Sequence, residues 1–228
     1  MLRGLGRLDE ARAHLEEAVR AGKTAPGVTR DTVRDWRRDL SKLLIRAGRL
    51  DDARRQLERA VEDDEAACVP GAPRGSFLDE DLGDVLRALG RQEEARQRYE
   101  RALRYHVAVF GPDAFALREL HHRLGAVSRE LGRYDEARHH LEEALRVGHP
   151  LLRRDIAATA AIHNDLAMAL RHLGDLDEAR RQFEQSLGVV EAALGPEHAR
   201  VGLARYGLGL TLWDLGRRDA STDPGRAS

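Results

Sequence analysis

Cysteine and long apolar runs are scarce in this sequence. Its single cysteine, Cys68, cannot form a disulfide within the chain, which fits a reducing compartment. No apolar run approaches the roughly 18 residues that are needed to span a bilayer. The N-terminal segment, MLRGLGRLDEAR, lacks the apolar core of a secretion signal. We therefore expect a soluble, cytoplasmic protein.

The chain also lacks an excess of charge of one sign. Lys and Arg number 38 and Asp and Glu number 39, which gives a net charge of −1. Acidic and basic residues alternate, so no basic stripe suits nucleic acid and no overall charge favours a membrane surface. A content of 34% charged and only 4% aromatic residues is typical of helices whose surfaces carry many ion pairs.

A repeat of 42 residues runs through the chain. Its marker is a glycine, found at Gly6, Gly48, Gly90, Gly132, Gly174 and Gly216. The first five glycines begin the phrases GRLDEAR, GRLDDAR, GRQEEAR, GRYDEAR and GDLDEAR. We expect each glycine to allow a tight turn between two helices. The acidic pair that follows it should lie in the first turn of the next helix, where the helix dipole favours negative charge.

We name the helix before each glycine the first-type helix and the helix after it the second-type helix. Nine residues after the glycine, the second-type helix carries a large apolar residue: Leu15, Leu57, Tyr99, Leu141 or Phe183. Seven residues before it, the first-type helix carries a small residue: Ser41, Gly83, Gly125, Ala167 or Gly209. Together with leucines and alanines at helical spacing, these positions predict an all-α fold. The expected helices, ten in number, cover about 7–21, 30–47, 50–66, 77–89, 92–109, 115–131, 134–147, 155–173, 176–193 and 198–215.

This pattern resembles the tetratricopeptide repeat, and its period is similar to the long variant of kinesin light chains and many bacterial proteins. The segments FGPDAFALREL and LGPEHARVGLA resemble the inter-repeat segment of that variant. The resemblance implies an α-solenoid, a right-handed superhelix of stacked antiparallel helix pairs with the first-type helices on the concave side. The chain departs from the family at the early aromatic of the first-type helix, where it has Arg37, Asp79, His121, His163 and Arg205.

The function that the resemblance implies is a non-catalytic scaffold whose concave face binds a protein or peptide. The phrase IHNDLA is similar to the Asn-Asn-Leu-Ala of kinesin-light-chain-like repeats, in which asparagine holds a peptide backbone. Tyr206 and Trp213 are the aromatic anchors we expect, because such side chains dominate binding energy. The alternative is that the two aromatics pack against a further helix and that the polar face is only solvated. The predicted binding residues are Arg38, Lys42, Glu80, Asp84, Arg87, His122, Arg129, Asn164, Met168, Arg171, Tyr206, Leu210 and Trp213.

Patterns that could carry catalysis or hold a cofactor do not meet the requirements. Residues 22–24 (Gly-Lys-Thr) resemble the end of a phosphate-binding loop, but Glu17 stands where the loop needs glycine. The adjacent histidines at 121–122 and 139–140 point about 100° apart on a helix, which disfavours a shared metal. Cys68 has no base beside it. We predict neither an enzyme nor a bound cofactor or metal.

The two ends of the chain interrupt the repeat. We expect the array to cover residues 1–218 and the tail, 219–228, to be disordered. The loop at 68–76 (CVPGAPRGS) is the predicted hinge. Apolar end faces indicate either a piece of a longer array or self-association through the uncapped ends. A second hypothesis is a regulatory or sensory repeat module severed from a larger signalling ATPase or transcription regulator.

Overall fold

The structure, a computed structural model, describes residues 2–67, 77–148 and 155–222. Within these ranges it contains ten α-helices and no strand. In chain order the helices are α1 (Leu2–Gly22), α2 (Arg30–Arg46), α3 (Leu50–Ala67), α4 (Phe77–Ala88), α5 (Gln92–Phe110), α6 (Leu117–Glu130), α7 (Tyr134–Gly148), α8 (Ile156–Leu173), α9 (Leu176–Leu194) and α10 (Ala199–Thr222). The even-numbered helices are the first-type helices, and the predicted all-α fold is confirmed.

Helices α2 to α9 agree with the predicted bounds to within about two residues. The acidic pair lies in the first turn of α3, α5, α7 and α9, as the dipole argument predicts. The two terminal helices are longer than predicted. The expected hinge at 68–76 lies outside the described residues, as do residues 223–228 of the expected tail, so both stay predictions.

Four of the six repeat glycines form turns. Gly48, Gly90, Gly132 and Gly174 all have positive φ, between 73° and 83°. At Gly174 the left-handed conformation lets the Asp175 N–H bond back to the Leu170 carbonyl, 3.0 Å away, which closes α8. Gly6 and Gly216 instead lie inside α1 and α10, so the predicted turns there are wrong. Glycine permits a turn without imposing one, because helical φ is equally open to it.

The small residue and the large residue of the repeat meet inside the hairpins α4–α5 and α6–α7. A Cβ placed on Gly83 would lie 2.5 Å from the Tyr99 ring, and one on Gly125 would overlap the Leu141 side chain. Tyr99 and Leu141 are fully buried. The second-type helix therefore packs so closely on the first-type helix that its large side chain occupies the space of a missing methyl group.

Two compact units divide the chain, residues 1–112 and residues 113–228. In the first unit, α2 pairs with α3 and α4 with α5, and α1 packs on α2. In the second unit, α6 pairs with α7 and α8 with α9, and α10 packs on α9. The core of the second unit contains a continuous apolar cluster, formed by Ala137, Leu141, Ala144, Ile162, Leu166, Ala169, Leu170 and Ala179.

Polar side chains replace the early aromatic of the family, and the structure buries three of them. Arg37 and Asp79 are 5% and 0% exposed, His121 is buried, and His163 is half-buried. Each contacts the residue 19 positions later, on the partner helix of the same hairpin. The pairs are Arg37 with Gln56 (3.3 Å), Asp79 with Arg98 (3.1 Å), His121 with His140 (3.2 Å) and His163 with Gln182 (2.7 Å). The departure from the family is therefore compensated by a polar partner on the second helix of each of these hairpins.

Close packing at Gly125 makes a specific prediction. Gly125→Ala should destabilise the protein by about 1–3 kcal/mol through overpacking against Leu141. Higher helix propensity of alanine offsets about 1 kcal/mol of that loss. Gly209 is the matched control, because it occupies the same repeat position on α10 and a Cβ there meets nothing within 4 Å in the described part of the chain.

Gly209→Ala should stabilise α10 by about 0.5–1 kcal/mol, since only the propensity term acts there. Urea unfolding of both variants, compared with wild type, measures the two changes. Equal effects at the two positions would contradict the packing described here.

Burial of His121 predicts a pH dependence of stability. Desolvation lowers the pKa of folded His121 below its ordinary value of 6.5. Between the two pKa values the unfolded chain binds more protons, so the free energy of unfolding rises with pH across that window. Stability should therefore fall as the solution is acidified below about pH 6.5.

Urea unfolding at about pH 5 and pH 7.5 measures this loss, which a His121→Gln variant should reduce. Glutamine can still bond to His140, as Gln182 bonds to His163. The same substitution at the exposed His14 should leave the pH dependence unchanged. A His121→Gln variant with the full wild-type pH dependence would exclude His121 as its source.

Candidate functional site

Ion pairs join successive first-type helices in each unit. In the first unit, Arg38 Nε of α2 donates to Asp81 Oδ2 of α4 at 2.5 Å. In the second unit, Arg171 Nε of α8 donates to Asp214 Oδ2 of α10 at 2.7 Å. Each pair spans 43 positions, one more than the repeat. First-type helices of neighbouring repeats therefore present equivalent faces side by side.

The first unit presents a polar face. Glu80 Oε1 lies 2.9 Å from Nε2 of the buried His106, and Asp84 accepts a 2.7 Å hydrogen bond from the Tyr99 hydroxyl. Desolvation lowers the pKa of His106. Two of the predicted binding residues thus lie against the partner helix α5.

The remaining predicted residues of the first unit lie nearer the solvent. Lys42 is exposed and donates to Asp39 at 3.2 Å, within one turn of α2. Arg87 is half-buried near the end of α4. An incoming ligand would therefore meet charged side chains that already interact within the unit, and it would have to compete with those partners.

A charged cluster connects α6 and α8 in the second unit. His122 Nε2 lies 3.1 Å from Asp165 Oδ2, and Arg129 Nη2 lies 3.4 Å from Asp165 Oδ1. Asp165 is mostly buried, and its two oxygens face two different basic side chains. The cluster places His122 and Arg129, both predicted binding residues, beside the next first-type helix.

A cavity of about 230 Å³ opens next to this cluster. Its walls come from α8, α9 and α10, and include Asn164, Asp165, Ser186, Arg200 and Leu203. The Asn164 Oδ1 atom is buried and has no hydrogen-bond partner among the described residues. A buried amide oxygen without a partner is costly, so a ligand N–H placed there would be favourable.

Exposed apolar side chains adjoin the cavity along α10. Leu203 lines the cavity and is 62% exposed, and Tyr206 and Trp213 are each 68% exposed. Leu210 completes the stripe and is half-buried, as is Met168 on α8. The opposite side of α10 is buried at Val201, Ala204, Gly207, Thr211 and Leu215, which packs the helix onto the unit.

Several residues of this surface were not predicted from the sequence. Asp165, Ser186 and Arg200 line the cavity but were not among the predicted binding residues. Arg200 Nη1 donates to the Ala157 carbonyl at 2.6 Å, again across 43 positions. A search for opposite charges 43 residues apart, rather than 42, would have found Asp81, Asp165 and Asp214.

Two negative findings bear on other kinds of site. In the described ranges, no three His, Cys, Asp or Glu side chains come together in a way that could hold a metal ion. None of the helices in those ranges is both long and apolar enough to cross a membrane. Cys68 lies outside the described residues.

Solved structures of helical repeat proteins are similar to this fold. BtubC (BKLC) from P. vanneervenii has a TM-score of 0.75 at 20% identity, covering 86% of this chain and 78% of its own. A putative kinesin light chain from Podosopora anserina has a TM-score of 0.69 at 20% identity, with coverages of 84% and 90%. YrrB, described as a TPR protein with an unusual peptide-binding site, has a TM-score of 0.59 at 22% identity, with coverages of 91% and 87%. At these identities the likeness shows the fold alone.

Sequence comparison supplies the family. No curated protein sequence matches the chain significantly. The model of the tetratricopeptide repeat matches residues 1–66, 77–147 and 158–226, which together make up most of the chain. The fold of this family is generally that of a non-catalytic scaffold for protein interactions. The chain belongs to the tetratricopeptide repeat family.

Proposed function

We propose that this protein is a non-catalytic scaffold that binds an extended peptide segment through the first-type helices of its second unit. The observation that carries the proposal is the cavity beside Asn164, whose buried Oδ1 has no partner among the described residues. A peptide main chain offers N–H groups that can reach such an oxygen. The asparagine amide can also donate to a peptide carbonyl.

The apolar stripe of α10 supplies the second part of the proposed site. Leu203, Tyr206 and Trp213 extend from the cavity along one helix and bury an apolar side chain of the ligand. Aromatic anchors contribute most of the energy of such contacts. The ligand that we propose therefore has a main chain at Asn164 and at least one large apolar side chain at Tyr206 or Trp213.

Charged residues around this site favour binding over chemistry. Asp165 already faces His122 and Arg129, and Arg171 faces Asp214. Their roles are to hold neighbouring helices in register and to repel ligands with mismatched charge. YrrB, which has a similar fold, is itself described as having a peptide-binding site, and this supports the class of ligand. Self-association through the ends of the array stays a prediction.

Selection from a random peptide library tests the proposal. Peptides enriched on the full chain should contain an aromatic or large aliphatic residue. Their affinity should fall about tenfold or more for Trp213→Ala, because a buried aromatic anchor contributes at least about 1.4 kcal/mol. Asn164→Ala should also weaken binding by about fivefold to tenfold, because a main-chain hydrogen bond is lost.

Two matched variants serve as controls. Gln185→Ala removes an exposed amide from α9, away from the cavity lining, and Phe110→Ala removes an exposed aromatic from α5. Both should bind the selected peptides as wild type does. Circular dichroism should show unchanged helix in all four variants. Peptides that bind equally well to Asn164→Ala, Trp213→Ala and the controls would place the binding site elsewhere.

A further inference from the structure

We propose that the first unit contains a binding site for a phosphate-type oxyanion between α1, α2 and α3. Two cavities of about 510 Å³ and 250 Å³ open there. The residues that line both cavities are Lys23, Arg37 and Arg59, and all three are cationic. This inference does not rest on the proposed peptide function, because it concerns different helices in the other unit.

A buried guanidinium lies where the two cavities share their walls. Arg37 is only 5% exposed. Its Nε donates to Asp63 at 3.2 Å and its Nη1 to Gln56 at 3.3 Å. A guanidinium has five N–H groups, so these two bonds leave further donors without an acceptor among the described residues. The remaining N–H groups of this guanidinium are therefore open to an anionic ligand in the adjoining cavity.

Positive charge in these cavities exceeds the negative charge that the chain supplies. The cationic lining residues are Arg20, Lys23, Arg30, Arg37 and Arg59, and the acidic ones are Glu16, Glu62 and Asp63. Lys23, Arg30 and Arg59 form no ion pair with any residue that the structure describes, although most arginines of this chain do. Their charges are therefore available to an external anion.

The start of α2 adds a further favourable field. Thr29 and Arg30 line the larger cavity, and α2 begins there with the Thr29 hydroxyl capping the Thr32 N–H at 3.2 Å. The positive end of a 17-residue helix thus lies at the cavity wall. The helix dipole and the cationic side chains therefore both favour an anion at this point.

The equivalent location in another hairpin shows that the charge does not follow from the repeat geometry. Between α8 and α9, a cavity of about 560 Å³ is lined by Ile156, Thr159, His163, Gly188, Val189, Ala192 and Ala193. Thr159 and His163 occupy the repeat positions of Val33 and Arg37. That cavity is apolar, whereas its counterpart in the first unit is basic. The basic character is thus specific to the side chains of α1, α2 and α3.

Substitution of Glu62 provides a specific test of the proposal. It is a lining carboxylate of the larger cavity that forms no ion pair within the described residues, so it opposes an incoming anion. Glu62→Gln should therefore tighten phosphate binding about twofold to fivefold. Arg59→Gln should weaken it about tenfold, through loss of a charged hydrogen-bond donor. Both side chains are exposed, so neither substitution should disturb folding.

The experiment titrates the full chain with sodium phosphate by isothermal titration calorimetry, against sodium chloride at equal ionic strength. Arg46→Gln is the matched control, because Arg46 is exposed on α2, lines neither cavity and forms no ion pair in the described ranges. The expected order of affinity is Glu62→Gln, then wild type and Arg46→Gln together, then Arg59→Gln. Thermal melting without phosphate confirms that all variants are folded.

Three results would overturn the proposal. They are no binding at millimolar phosphate, equal weakening by Arg46→Gln and Arg59→Gln, and weaker binding by Glu62→Gln. A phosphoserine peptide and its unmodified form are titrated in parallel. Tighter binding of the phosphopeptide than of inorganic phosphate would support a modified protein as the source of the anion. Equal affinities would support a free phosphate or a small phosphomonoester.

Discussion

The close approach of the two helices in the hairpins α4–α5 and α6–α7 depends on one contact, between a large side chain and a glycine that lacks one. Tyr99 against Gly83 and Leu141 against Gly125 are its clearest examples. Phe183 makes a similar contact with Gly207 of the next first-type helix. A large side chain at this repeat position can therefore join two helices within a hairpin or join a hairpin to the next first-type helix.

Polar pairs distinguish the hairpins from one another, whereas the apolar positions are nearly the same in all of them. Four hairpins share the leucine, alanine and glycine positions, yet their residues 19 apart differ: arginine with glutamine, aspartate with arginine, histidine with histidine, and histidine with glutamine. Exchange of helices between hairpins would bring together groups such as Arg37 and Arg98, which cannot bond to each other. A buried mismatch of that kind is costly, so these pairs favour the native partners over near-identical alternatives.

The surfaces of the two units differ because the repeat constrains only the residues that pack. First-type helices must keep their leucines and small residues, but their remaining faces are free to vary. In the first unit those faces are charged, with Arg38, Lys42 and Glu80 held in local pairs or networks. In the second unit they become apolar at Leu203, Tyr206 and Trp213. A scaffold of this kind can therefore carry different ligand chemistries on one repeated framework.

The fold class, the order of the helices and most of their bounds could be predicted from the amino-acid sequence alone. Two periodicities, one of about 3.6 residues within a helix and one of 42 between repeats, agree at nearly every hairpin. The sequence also singled out Asn164, Tyr206 and Trp213 as binding residues, which stays a prediction, but not the acids that lie near them.

Which polar groups meet depends on how the helices pack and could not be predicted from the sequence. The polar pairs whose members lie 19 or 43 residues apart depend on the length of the turn and on the offset between packed helices. Neither quantity can be read from the period of a single helix. The same limit explains Gly6 and Gly216, where an identical residue lies within a helix instead of a turn. A turn forms where a following helix packs back on its neighbour, and that packing is a property of the folded chain.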